Sequence, residues 1–152
     1  MLRDGEGARV LADRHIGPQH AGWTPIRVWR GDVLVDTRVN GDRSAWFLLD
    51  TGAQFNLLDA GLAAEIVQLK RYTQLGLRGF SGEVQEVYQA QQRVDLAFAG
   101  LQQGNDGILA MDLSGLSSSM GVEIGGVLGY EVLRHLDLAI DYRNALVRLR
   151  PR

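Results

Sequence analysis

Cysteine is absent from this chain of 152 residues, which excludes disulfide bridges, thiolate catalysis and Cys-based metal sites together and fits either redox compartment. Lysine is nearly absent. Lys70 is the single lysine among 16 basic residues and the rest are arginine, a bias that more often reflects genome composition than function. No apolar run approaches the length that a bilayer-crossing helix needs. The opening MLRDGEGARVLADRH is charged and has no apolar leader core, so the chain reads as a soluble domain without a signal peptide. Net charge is −2 with no block of like charges, so neither nucleic acid nor an anionic membrane is expected as a partner. No HExxH or comparable ligand set occurs, which argues against zinc catalysis and leaves no metal site to propose. Internal repeats and low-complexity tracts are missing as well.

What remains is one domain's worth of chain with a hydrophobic fraction of 45%, enough for a core. Residues 1–22 hold Gly5, Gly7, Gly17, Pro18 and Gly22 without a sustained period and read as a loosely attached N-terminal arm, His15 and His20 included. Residues 23–152 read as the domain. Val33, Val35, Thr37 and Val39 alternate with Leu34, Asp36 and Arg38 at the period of a strand. Asn40-Gly41 then signals a hairpin, and Arg43 to Leu49 is the return strand. Asp59 stands where a helix N-cap would, ahead of AGLAAEIVQL with Leu62, Ile66 and Leu69 at helical spacing.

The β pattern continues beyond that helix. Two β-compatible arms flank Gly79-Phe80-Ser81-Gly82 as a long hairpin, and Val94, Leu96 and Phe98 alternate as a strand. Gly104-Asn105-Asp106-Gly107 reads as a turn, Ile108 to Met111 as strand-like, and SGLSSSMG (114–121) as a flexible loop by composition. Gly126-Val127-Leu128-Gly129 is a short strand before the helical YEVLRHL. DLAIDY and ALVRLR close the chain as a hairpin around Arg143-Asn144, with Asp141 supporting the turn. Trp23, Trp29 and Trp46 read as packing residues, and His135 as a surface or packed histidine. A serine-hydrolase reading of GFSGE fails, because G-x-S-x-G needs glycine where Glu83 stands.

The sharpest feature is WFLLDTGA (46–53), an apolar strand that runs straight into a carboxylate. A carboxylate at such a place must be hydrogen-bonded, paired or protonated. Gly52 leaves room for its own N–H to donate to Asp50, and Thr51 brings a hydroxyl. One such loop is half of a chemical machine. Two of them face to face would bring two carboxylates within a few ångströms, where they share a proton. One can then act as general base on water while the other polarises a carbonyl.

Four linked pieces, spanning about Ile26 to Leu149, resemble the retropepsin-like aspartic proteases and, more narrowly, their bacterial single-lobe members. They are the strand with Asp50-Thr51-Gly52-Ala53, the hairpin tip Gly79-Phe80-Ser81-Gly82 in the place of a flap, Val127-Leu128-Gly129 followed by a short helix, and the closing hairpin DLAIDYRNALVRL. The resemblance implies a mainly β, single-lobe acid-protease β-barrel with two short helices. It implies an aspartic endopeptidase in which Asp50 activates water, Thr51 hydrogen-bonds across a dimer and Gly52 supplies backbone contacts. Ala53 and the flap residues Gly79, Phe80, Ser81 and Gly82 would contact substrate, and Gly129 would allow close packing beneath the loop. No cofactor is implied.

The chain has no second DTG or DSG: Arg38 follows Asp36-Thr37, and Asp106-Gly107 lacks the hydroxyl residue. The resemblance therefore implies a homodimer, with a peptide or protein as the other partner. Terminal strands join the viral dimers, whereas here the C-terminus is taken up by its own hairpin. Residues near Phe55, Leu57, Phe80 and Val127 are expected to line apolar specificity pockets. By analogy with bacterial relatives the periplasm or cell envelope is the expected compartment. The alternative is a non-proteolytic module that keeps the fold for dimerisation or peptide binding, against which the preserved Asp50 and Thr51 speak.

Overall fold

The alternation at Val33–Val39 becomes strand β3 (Asp32–Val39), in which Val33, Val35, Thr37 and Val39 are buried while Asp36 and Arg38 face water. Asn40 and Gly41, at φ 49° and 84°, turn the chain into β4 (Arg43–Leu49), and Val39 pairs with Arg43. The computed structural model describes residues 18–73 and 85–152. Before β3 lie β1 (Thr24–Pro25) and β2 (Arg27–Trp29). After β4 come β5 (Leu57–Asp59), helix α1 (Ala60–Ile66), β6 (Leu69–Tyr72), β7 (Val87–Ala90), β8 (Val94–Phe98), β9 (Leu101–Asn105) and β10 (Leu109–Met111). Helix α2 (Ser114–Met120), β11 (Ile124–Leu128), helix α3 (Tyr130–Leu133), β12 (Leu136–Asp141) and β13 (Leu146–Pro151) complete the chain. No helix among the described residues is long and apolar enough to cross a membrane.

The main sheet runs β6-β7-β10-β5-β11-β4-β3-β8-β9, with β2 also paired to β3, and a smaller sheet runs β1-β13-β12. Two ladders are parallel, β5 with β10 and β4 with β11. Both sit in the middle of the sheet, where covered faces let strands be apolar on both sides. Phe47, Val35, Leu58, Leu128 and Ala110 point into one core. Leu34, Leu48, Val127, Leu57 and Leu109 point into a second core on the opposite face.

Helix α1 starts where the sequence places it, since Asp59 Oδ2 accepts the Leu62 N–H at 3.1 Å. The same side chain does a second job: Asp59 Oδ1 accepts the Leu113 N–H at 3.0 Å and so fixes the entry to α2. The arms of the long hairpin pair in antiparallel register from Leu69↔Ala90 to Tyr72↔Val87. Its tip, including Gly79, Phe80, Ser81 and Gly82, lies outside the described residues, as does His15.

Four expectations need correction. Three α-helices, not two, occur among the described residues, because SGLSSSMG is helical from Ser114 to Met120. Burial of Leu116 and Met120, one turn apart, outweighs the poor helix propensity of serine and glycine, and Gly121 ends the helix in the left-handed region at φ 65°. Gly104 and Asn105 belong to β9, paired with Asp95 and Val94, so the turn begins only at Asp106. His20 is not loose. Its Nε2 lies 3.6 Å from Asp141 Oδ2, its ring meets Trp23 edge-on, and Arg148 stacks over Trp23 at 4.8 Å. Residues 18–23 are thereby fastened to the terminal hairpin. Finally, Leu57 and Val127 are 9% and 0% exposed and belong to the second core, so they line no open pocket; Phe55 is half-buried.

Candidate active site

Asp50 stands at the end of β4, where the parallel ladder with β11 gives out. Leu48 pairs with Val127 and Leu49 with Leu128, and one further bond, Asp50 N–H to Leu128 O at 3.0 Å, carries the ladder to the aspartate itself. The chain then folds back on itself. Ala53 N–H donates to Asp50 O at 3.2 Å, and Gly52 N–H donates to Asp50 Oδ1 at 2.8 Å, the contact that the glycine was expected to permit. A β-carbon on Gly52 would stand 3.1 Å from that same oxygen. Asp50 is half-buried, whereas Thr51 and Gly52 at the loop tip are exposed.

The far end of the loop is clamped by α3. A helix begins with N–H groups that have no partner inside it, and no side chain caps this one. The loop supplies the missing acceptors: Tyr130 N–H donates to Ala53 O at 2.7 Å, and Glu131 N–H donates to Gln54 O at 3.1 Å. Gly129 is required for this approach, because a β-carbon there would lie 2.3 Å from Phe55 O and 2.7 Å from Ala53 O. Both atoms are backbone, so nothing can swing aside. The packing role expected of Gly129 is thus explained by distance.

Beneath the loop lies a residue that the sequence reading missed. Asn56 is 1% exposed. Its Oδ1 accepts the Gly129 N–H at 2.9 Å, and its Nδ2 donates to Asn105 Oδ1 at 3.2 Å and to Gln103 Oε1 at 3.3 Å. Its backbone N–H donates to Glu131 Oε2 at 3.3 Å. Asn105, also buried, donates onward to the carbonyls of Val94 and Gln103. Buried amides are costly unless their polar atoms are matched, and here the matching ties β5, β9, β11 and α3 into one support. The one available signal was an asparagine inside an otherwise apolar stretch, Phe55 to Leu58.

The structure therefore brings Asp50, Thr51, Gly52 and Ala53 together on one loop held at both ends, while Gly79, Phe80, Ser81 and Gly82 lie outside the described residues. Trp46 and Trp29 pack against the second core, with Arg27 at 5.2 Å from the Trp46 ring and Arg30 at 5.3 Å from the Trp29 ring. Among the described residues no three or more His, Asp or Glu side chains converge as a metal site.

The sequence profile of the family described as "Aspartyl protease" matches residues 35–132. No curated protein matches the chain. Similar solved structures include the EIAV protease complexed with the inhibitor HBY-793, at 19% identity over 71% of this chain and 90% of that one, with a TM-score of 0.49. Another is the retroviral protease-like domain of Ddi1 from Leishmania major, at 16% identity over 78% of this chain and 93% of that one, TM-score 0.49. A third is a retropepsin-like aspartic protease from Rickettsia conorii, at 16% identity over 84% of this chain and 89% of that one, TM-score 0.44. With more than half of its length matched, from β3 to α3, the chain belongs to the aspartyl protease family, and its described residues form a mainly β fold.

Proposed function

We propose that the protein is an aspartic endopeptidase that works as a homodimer, each copy contributing one Asp50. The observation that carries this reading is the presentation of the aspartate. Its carboxylate is hydrogen-bonded to Gly52 N–H on a loop held by β11 and α3, with Thr51 and Gly52 exposed at the tip. A second copy meeting that tip would bring the two carboxylates together across a two-fold axis. Like charges at that separation cannot both ionise, so the pair holds one proton.

The chemistry follows from that shared proton. The ionised Asp50 takes a proton from a water molecule as its oxygen attacks the peptide carbonyl carbon, while the protonated Asp50 donates to the carbonyl oxygen. The tetrahedral diol then collapses: the C–N bond breaks, the amide nitrogen receives a proton from the dyad, and an acid and an amine leave. In this reading Thr51 hydrogen-bonds to the facing loop and keeps the two aspartates coplanar. Gly52 and Ala53 offer backbone groups to the peptide. The segment Gly79 to Gly82, carried on β6 and β7, covers it as a flap with Phe80 over the substrate.

The test is a peptide-library digest read by mass spectrometry from about pH 4 to 8, with Asp50→Ala as control and the oligomeric state measured in the same buffer. Cleavage by the wild type that is absent in Asp50→Ala supports the reading. No cleavage at a concentration where the chain is dimeric defeats it and leaves a dimerising or peptide-binding module.

A further inference from the structure

A cavity of about 280 Å³ opens beside the exit of the Asp50 loop. Phe55 and Asn56, the residues that follow the loop, form one wall, joined by Glu131 on the first turn of α3. Tyr72 and Gln89 come from the arms of the long hairpin, and Gln103, Asp106 and Gly107 from β9 and the turn after it. The cavity therefore lies between the loop that carries the aspartate and the stem of the long hairpin.

Its lining is polar and one-sided. Gln89 Nε2 donates to Gly107 O at 3.1 Å, which leaves Gln89 Oε1 without a donor among the described residues. Glu131 uses Oε2 on the Asn56 N–H at 3.3 Å and keeps its other oxygen free among them. Asp106 is exposed; Arg93 reaches it only at 3.4 Å and is also held by Asp95 at 3.2 Å. Gln103 Oε1 accepts from Asn56 Nδ2, so the free group of that amide is its N–H₂. Among the lining side chains, two carboxylates and an amide oxygen thus stand against one free amide donor and the Tyr72 hydroxyl, which serves either way. No lysine, arginine or histidine of the described residues lines the cavity.

A ligand for such a lining brings N–H groups and positive charge. A guanidinium holds its N–H groups in a planar fork that meets a carboxylate side-on, and an ammonium offers them as a point charge. The rings of Phe55 and Tyr72 suit both the cation and the methylene stem behind it. We propose that this cavity binds a guanidinium or primary ammonium head group. Two sources carry that chemistry: an arginine or lysine side chain of a peptide lying on the Asp50 loop, and a free small amine. The first rests on the protease reading above and the second does not. Either occupant meets Glu131 and Asn56, and so touches the support beneath the loop.

The test begins with binding. N-acetyl-arginine methylamide and the neutral N-acetyl-norleucine methylamide are titrated into the full chain and followed by NMR at the side-chain amides of Gln89 and Gln103. The arginine compound is expected to give saturable shifts that the norleucine compound does not. Asp106→Asn and Glu131→Gln keep the side-chain shape, and the second keeps an oxygen for the Asn56 N–H. Each should weaken Kd about fivefold. Equal responses to the two compounds, or an unchanged Kd in both variants, overturn the inference. A second arm separates the sources, using matched peptides that carry arginine or norleucine at successive positions around the cleaved bond. An arginine preference at one position that both variants lose assigns the cavity to substrate. Cleavage without any such preference, with binding intact, assigns it to a free amine. If no chain cleaves any peptide as a dimer, the protease reading falls, and the binding arm alone decides the cavity.

Discussion

Asn56 holds Gly129. A fully buried side-chain oxygen accepts a backbone N–H at 2.9 Å, across 73 residues of sequence, directly beneath the loop that carries Asp50. Replacing Asn56 by Leu fills the same volume but leaves that N–H, and the amide oxygens of Asn105 and Gln103, without their partner. A buried donor left unpaired costs roughly 1–3 kcal/mol, so urea denaturation of Asn56→Leu should show a loss of about 2 kcal/mol. An unchanged midpoint would mean that water replaces the amide and that the support beneath the loop is not specific.

Gly129 itself tolerates no side chain. Alanine there places a β-carbon 2.3 Å from one backbone oxygen and 2.7 Å from another, and overpacking of this kind costs about 3 kcal/mol. Gly129→Ala should therefore unfold at much lower denaturant than wild type, whereas Gly115→Ala, in open space, should unfold no earlier. The two variants together separate a packing requirement from a mere loss of glycine.

Asp59 closes two elements with one carboxylate, its Oδ2 on Leu62 N–H and its Oδ1 on Leu113 N–H. Loss of an N-cap side chain typically costs about 1 kcal/mol, and the second bond adds a comparable amount, so Asp59→Ala should lose about 2 kcal/mol. Its distinguishing mark is location. Hydrogen exchange should quicken in both α1 and α2, and acceleration in α1 alone would show that the Leu113 contact contributes nothing.

Asp141 gives the terminal hairpin a pH dependence. Hydrogen bonds from the Asn144 side chain and backbone, with His20 nearby, hold its carboxyl below the ordinary value of 3.8. A carboxyl that is a stronger acid when folded stabilises the fold above its unfolded pKa, and that contribution is lost as pH falls through the folded value. Thermal stability should therefore decline below about pH 4, and Asp141→Asn should flatten that acid limb by lowering stability in the neutral range while leaving the acid range little changed. An acid limb of the same slope in the variant would assign the decline to other carboxyls.

A dyad at a dimer axis makes a prediction opposite to that of an ordinary buried carboxylate. If two Asp50 side chains repel one another, Asp50→Asn removes the repulsion; for a chain of this size about 1 kcal/mol corresponds to roughly 2–4 °C. Calorimetry at a dimeric concentration should show Tm rising by that amount as activity disappears. A fall in Tm would mean that the carboxylate serves only its own loop.

The readable parts of this fold were those whose cause is local. Val33 to Val39 alternates because one face meets the core, Asn40-Gly41 supplies the positive φ values of the turn, and Asp59 caps the helix that follows it. The DTGA loop was readable for the same reason, since the Gly52 N–H that reaches Asp50 is two residues away. What escaped was decided at a distance. Helix α2 has the composition of a loop and is helical because Leu116 and Met120 are buried in the second core. Gly104-Asn105 has the composition of a turn, yet β8 pairs with it. Asn56 has no local signature at all, because every partner of its side chain comes from another element.

The clamp on the Asp50 loop also dictates when the site can come into being. Leu128, Gly129, Tyr130 and Glu131 supply the atoms that fix its ladder end, its floor and its exit, and a chain growing from its N-terminus has made Asp50 long before it has made them. A nascent chain that stops short of α3 carries the aspartate on a loop shaped only by its own short-range bonds, Gly52 N–H to Asp50 Oδ1 and Ala53 N–H to Asp50 O. A fixed setting for Asp50 thus arrives with α3, some 80 residues after the motif, and the motif alone does not make it.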